Sequence, residues 1–217
     1  MILADLVARA GALATGPGRA VLGITGSPGA GKSTLVATLL AELGVGVAHV
    51  PMDGFHLADA ALTAIGRRAA KGAPDTFDVG GYVALLRRLR VDPLGADAED
   101  VIYAPAFERE LEQPLAGAIA VPRSARLVLT EGNYLLLDTG RWAEVRPELD
   151  EVWFCAPDPD VRVSRLTARH VAFGKEPARA VSWVRAVDVP NAELVEATRG
   201  RADLVVPAAV LDSLRPT

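Results

Sequence analysis

The apolar run Ala20–Thr25 leads directly into Gly26-Ser27-Pro28-Gly29-Ala30-Gly31-Lys32-Ser33, and a helix-like segment follows to Leu43. This reads as a buried strand, a glycine-rich turn and a helix that opens on the last glycine. The spacing G-x-x-x-x-G-K-[ST] is met at every position. Glycines let the backbone curl so that its N–H groups face phosphate oxygens, and the helix N-terminus adds a positive dipole end. Gly26, Ser27, Gly29, Ala30, Gly31, Lys32, Ser33 and Thr34 are therefore candidate nucleotide-binding residues. Lys32 would reach the β- and γ-phosphates, and the Ser33 hydroxyl would ligate Mg²⁺. A second apolar run at 45–51 completes a strand–helix–strand unit, hence a parallel pair with a right-handed crossover.

The rest of the chain alternates in the same way. Helices are expected over 2–14, 57–65 and 79–91, the last with Asp78 as N-cap. Further core strands are expected at 126–131, Glu151–Ala156 and 203–207, with helices filling 158–201. Short strands at 101–103 and 118–121 would form a small excursion around Pro105 and Pro114. The pattern is an α/β sheet covered on both faces. At 217 residues, with half of them hydrophobic and 23% charged, a single domain of ordinary globular composition is expected over 1–217.

Charge and cysteine narrow the classes of function. A net charge of −4 argues against nucleic acid as a partner. One cysteine, Cys155, allows no internal disulfide, and with three histidines a structural zinc site is not expected. No apolar run is long enough to span a bilayer, and the first residues lack the pattern of a signal peptide. No membrane association and a cytoplasmic location are the expectation. A homodimer is compatible with the sequence. Lysine occurs only at positions 32, 71 and 175, which draws attention to each.

Ligands of open α/β sheets sit at the carboxyl ends of the strands. Two strands end in acids there. The run at 47–52 leads into Asp53, and 126–130 leads into Glu131. Glu131 would hold the Mg²⁺ shell or a substrate hydroxyl. Asp53 would take the proton of an attacking hydroxyl, as phosphoryl transfer to an alcohol requires; its structural alternative is to cap the segment after Gly54. Arg162, Arg165 and Arg169 recur at i, i+3 and i+7, so they share one helix face. They read either as a solvated face or as a lid over about 158–187. In the lid reading Arg162 binds the nucleotide, Arg165 and Arg169 act on the transferring group, and Gly174-Lys175 marks the turn.

Taken together these residues resemble the superfamily of uridine kinases, phosphoribulokinases and bacterial-type pantothenate kinases, over nearly the whole chain. Gly26 to Thr34 matches the phosphate loop. Met52-Asp53-Gly54-Phe55-His56 resembles the D-G-F element, in which the aspartate is the catalytic base. Pro74-Asp75-Thr76-Phe77-Asp78 resembles P-D-x-F-D, and Glu131-Gly132 the E-G after the third core strand. Thr198-Arg199-Gly200-Arg201-Ala202-Asp203 resembles the arginine-rich and Y-A-D elements near the end. The resemblance implies a P-loop NTPase fold with a five-stranded parallel sheet in the order 2-3-1-4-5, a helical lid and a small β excursion. It also implies ATP and Mg²⁺ as cofactors.

The departures lie in the acceptor pocket. Gly72 stands where uridine kinases place a ribose-binding aspartate. Glu108 stands at their base-reading histidine. Pro105 stands at a pantothenate kinase histidine. The run from Tyr103 through Pro105 and Phe107 to Arg109 is instead similar to a branch of nucleoside/nucleotide kinase-like and fructose-uptake kinase-like proteins. Arg169-His170, Phe173-Gly174-Lys175 and Pro190-Asn191-Ala192 fit that branch too. The expected reaction is transfer of the γ-phosphate of ATP to a hydroxyl of a small, sugar-like or polyhydroxy metabolite. An acceptor-binding insert is expected over about 54–122, with Asp53, Phe55, His56, Tyr103, Glu108 and Arg109 lining the pocket. The alternatives are a uridine or pantothenate kinase, and a nucleotide-binding regulator without catalysis.

Overall fold

The computed structural model describes residues 1–91, 95, 98–172, 174 and 176–214, with the backbone alone at 170, 185 and 187. Helix α1 (Leu3–Leu13) precedes β1 (Ala20–Thr25), which enters α2 (Lys32–Leu43) through the glycine loop. Strand β2 (Val47–His49) runs into a 3₁₀ turn, Met52–Phe55. Helices α3 (Asp59–Ala64) and α4 (Val79–Leu89) follow, then the strands β3 (Val101–Glu108) and β4 (Gln113–Pro122). Strand β5 (Leu127–Gly132) and strand β6 (Glu151–Ala156) return to the core. Helices α5 (Pro159–Ala172), α6 (Pro177–Trp183) and α7 (Val189–Glu196) lead to β7 (Leu204–Pro207) and α8 (Ala208–Ser213).

The main sheet is parallel, in the order β2-β5-β1-β6-β7. Counting core strands alone, this is the expected 2-3-1-4-5. The register sets Ile24 beside Glu131 and Thr25 beside Gly132, so β1 and β5 end together. Every residue of β5 is buried, as a strand covered on both faces requires. Alternate side chains feed two cores. Val21, Val128 and Phe154 pack on one face with α4, and Leu22, Ile24, Leu129 and Trp153 on the other with α1, α2 and α8. Helix α2 adds Leu35, Val36 and Leu39, one apolar face at helical spacing.

The β excursion differs from its expectation. Its two strands are long and antiparallel, with Pro105 inside β3 rather than in a loop around it. The ladder shifts register between Ala104 and Ala106, and a bulge tolerates a residue that donates no hydrogen bond. Asp78 caps α4 as expected, its carboxylate accepting the Gly81 N–H at 2.9 Å. Gly174 lies in a turn after α5, as expected, while its partner in that expectation, Lys175, and also Phe173 lie outside the described residues.

The hairpin is docked on the 3₁₀ turn through Gly54. A Cβ built there would stand 2.3 Å from the Pro105 carbonyl oxygen. Backbone cannot yield as a flexible side chain can, so only glycine fits. Gly54→Ala should destabilise the protein by about 1–3 kcal/mol, the usual cost of overpacking. A melting temperature unchanged in thermal denaturation would show that the hairpin does not rest on this contact.

Candidate active site

The glycine loop leaves β1 with φ +144° at Gly26, +80° at Gly29 and +86° at Gly31. These values suit glycine and strain other residues. Gly31 then stands at the N-cap of α2. Lys32 is buried and turns back onto the loop. Its Nζ donates to Gly26 O at 2.9 Å, Ser27 O at 3.2 Å and Asn133 Oδ1 at 2.6 Å. The Ser33 hydroxyl donates to Glu131 Oε1 at 2.9 Å. Burial lowers the Lys32 pKa and raises that of Glu131, and each charge opposes the shift of the other. Ser27 is held elsewhere, since its hydroxyl donates to Glu196 Oε1 of α7 at 2.6 Å.

Two clefts open here. The first, about 570 Å³, is lined by Gly29 to Thr34 together with Arg109, Arg165, Leu166, Arg169, Leu211 and Leu214. The second, about 360 Å³, lies toward the hairpin. Asp53, His56, Lys71, Gly72, Phe107 and Asn133 line it, together with Asp188 and Asn191. Among the described residues only Arg109 and Arg169 line both, so the clefts meet at these two residues.

Asp53 sits in the 3₁₀ turn at the end of β2. It caps no helix: Ala58 holds the N-cap of α3 and Pro51 that of the turn. His56 Nδ1 is 2.8 Å from Asp53 O. A carbonyl only accepts, so Nδ1 carries the proton, and Nε2 remains an acceptor in the neutral ring. Burial lowers the His56 pKa, which keeps the ring neutral at pH 7, while Asp53 opposes the shift. The ring packs tilted against Phe77 and Phe107, at 4.0 Å and 4.7 Å between centroids. Lys71 bonds Asp59 at 2.7 Å and lies over Phe107.

Several expected residues are placed elsewhere. Phe55 packs on Tyr82 in the core at 5.1 Å and does not face the cleft. Tyr103 is 59% exposed on the outer side of β3, because its neighbours Ile102 and Ala104 take the buried side. Glu108 accepts the Glu110 N–H at 3.2 Å in the hairpin turn and lines neither cleft. The three arginines do share α5, yet they do not form one clamp. Arg162 donates to Pro28 O at 3.3 Å behind the loop. Arg165 pairs with Asp212 at 2.9 Å. Arg169 alone of the three reaches the second cleft.

Asn133, Lys71, Asp188 and Asn191 line the second cleft without having been expected in the pocket. Asn133 follows Glu131-Gly132 directly, so the motif pointed to its neighbourhood. Lys71 had its rarity as a signal. Asn191 stood in the Pro190-Asn191-Ala192 resemblance, and Asp188 carries no signal, because the helical segment between α6 and α7 brings it from far along the chain.

The loop, the buried lysine and the strand-end acid on a 2-3-1-4-5 sheet define a P-loop nucleotide-binding protein. No family model matches the chain. The ATP-dependent kinase-like protein notR′ of Aspergillus versicolor is 33% identical over 162 residues, 72% of this chain and 93% of that protein. A protein of Schizosaccharomyces pombe assigned as a uridine kinase is 31% identical over 211 residues, 91% of this chain and 84% of its own length. A crystal structure from Silicibacter sp. TM1040, assigned as a fructose transport system kinase, superposes with a TM-score of 0.84. It is 34% identical, with 95% of this chain and 100% of that one covered. The chain belongs to the uridine kinase-like family of ATP-dependent P-loop kinases. It is a phosphotransferase that uses ATP and acts on a small molecule.

If Lys32 carries the phosphate charge, Lys32→Ala should cut ATP turnover by about 10²–10⁴-fold, as loss of an electrostatic stabiliser does. ADP release near the unmodified rate would remove Lys32 from that role.

Proposed function

We propose that the protein transfers the γ-phosphoryl group of ATP to a hydroxyl of a sugar-like or other polyhydroxy molecule bound in the second cleft. One observation carries the reading. Asp53 lines that cleft, which joins the glycine-loop cleft at Arg109 and Arg169. Asp53 is then the general base. Its carboxylate takes the proton of the acceptor hydroxyl, the freed oxygen attacks the γ-phosphorus, and the bond to the bridging oxygen breaks to leave ADP. Lys32 and the loop amides hold the phosphates.

Ser33 and Glu131 fit a magnesium ion. A hydroxyl and a carboxylate stand 2.9 Å apart at the mouth of the loop, and magnesium in such sites takes few protein ligands beside phosphates and water. Among the described residues no group of three or more His, Cys, Asp or Glu could hold a metal, which agrees with so sparse a ligand set. When bound, the ion neutralises charge on the β- and γ-phosphates. The need for ATP fits a cytoplasmic location, and among the described residues no helix is long and apolar enough to cross a membrane.

The acceptor reading rests on the cleft's chemistry. Asn133, Asn191 and Lys71 offer donors, and His56 Nε2 and Asp188 offer acceptors, around one wall of aromatic rings. That mixture suits several hydroxyls on a ring whose C–H face lies on Phe107. Gly72 sets only backbone toward the cleft, and its carbonyl accepts the Tyr134 hydroxyl. A ribose that expects an aspartate there would lose a partner, which discriminates strongly. The relative assigned to a fructose transport system agrees with a sugar, and the one assigned as a uridine kinase favours a nucleoside.

A coupled ADP-release screen over sugars, polyols, nucleosides and pantothenate separates these. A sugar or polyol should exceed uridine and pantothenate in kcat/KM by at least about tenfold, since unpaired polar groups are costly. With the best acceptor, Asp53→Asn should keep ATP affinity and lower kcat by about 10²–10⁴. Efficient uridine or pantothenate turnover with no sugar active overturns the acceptor, and an unchanged kcat in Asp53→Asn overturns the base.

A further inference from the structure

Arg109 was expected in the acceptor pocket, yet it reaches further. It follows the last residue of β3, and the hairpin that carries it is fixed by the contact between Gly54 and Pro105. It lines the glycine-loop cleft beside Gly29 to Thr34 as well as the second cleft. Arg169 reaches the same junction from α5.

Lys32 already serves the phosphates from within the glycine loop. Of the other cations around the clefts, Arg165 holds Asp212, and Arg68 and Lys71 share Asp59. Among the described residues, the Arg109 and Arg169 guanidiniums have no hydrogen-bond or ion-pair partner. They also repel each other. Desolvation and then the Arg109 charge lower the Arg169 pKa, while Asp188, Asp53 and Glu131 oppose this. Two like charges brought to one junction are relieved by an anion between them. A neutral polyhydroxy acceptor would not relieve them. A phosphoryl group would, since guanidinium matches its oxygens bidentately.

We propose that Arg109 contacts the γ-phosphoryl group of ATP opposite Arg169, so that the β3–β4 hairpin completes the nucleotide site as well as walling the acceptor cleft. The proposal rests on the kinase reading above and assigns one residue within it. The hairpin and α5 then close on the same group from two sides. Arg109 belongs to the transfer machinery rather than to acceptor recognition.

The test needs no knowledge of the acceptor. Binding of ATP and of ADP is measured by calorimetry, with Mg²⁺ present, for the unmodified protein, Arg109→Ala and Arg109→Lys. Arg109 is exposed, so neither variant threatens the fold. Arg109→Ala should weaken ATP by about tenfold or more and ADP by less than about twofold, because a charge-assisted contact is lost only where the γ-phosphoryl group is present. Arg109→Lys should fall between, keeping charge without the bidentate fork. Guanidinium ion added to Arg109→Ala should restore part of the ATP affinity. Equal losses for ATP and ADP, or no loss for either, overturn the assignment while leaving the kinase standing. Failure of the unmodified protein to bind ATP overturns both.

Discussion

The site depends on a buried charge. Lys32 is buried with its ammonium against two loop carbonyls, the Asn133 amide oxygen and the field of Glu131. An unpaired ammonium there would cost several kcal/mol, so these partners are needed to keep it charged. That demand shapes the neighbourhood. The loop must curl to aim its carbonyls at Nζ, which requires positive φ at the glycines. Strand β5 must end level with β1 to bring Glu131 alongside. The parallel register of the two central strands meets that condition.

The second consequence is the placement of the hairpin. Asp53 leaves β2 in a turn whose Gly54 leaves room for the Pro105 carbonyl where a Cβ would stand. The turn and hairpin are therefore packed directly on each other, and Asp53, His56, Phe107 and Arg109 line the same cleft. Opposite them, Ser27 ties the loop to α7 through Glu196, and Arg162 ties it to α5 through Pro28. The glycine loop is thus braced by the elements that border the second cleft.

Much of this was legible in the sequence, for local reasons. The strand, loop and α2 follow from short-range pattern, as do Asp78 as a cap and the acids at strand ends. The strand order came from family resemblance, and the geometry agrees with it. Side-chain direction was less legible. Tyr103 and Phe55 lie within motifs that suggested a pocket, yet strand alternation turns the first outward and core packing claims the second. Glu108 is drawn into the hairpin turn by the Glu110 N–H. The arginine spacing on α5 gave the right helix face but could not reveal that Asp212 engages Arg165. Asn133 and Asp188 enter the site through tertiary contact, which no local pattern encodes.

The central claim is that Lys32, Asp53 and the Arg109–Arg169 junction converge on one transferring group. A crystal structure with ADP, Mg²⁺ and aluminium fluoride tests it directly. The account predicts the fluoride complex at the meeting of the two clefts, with Lys32 Nζ turned from the loop carbonyls onto it and the Asp53 carboxylate facing its open side. A complex seated in the loop with Asp53 turned away from it would contradict the account.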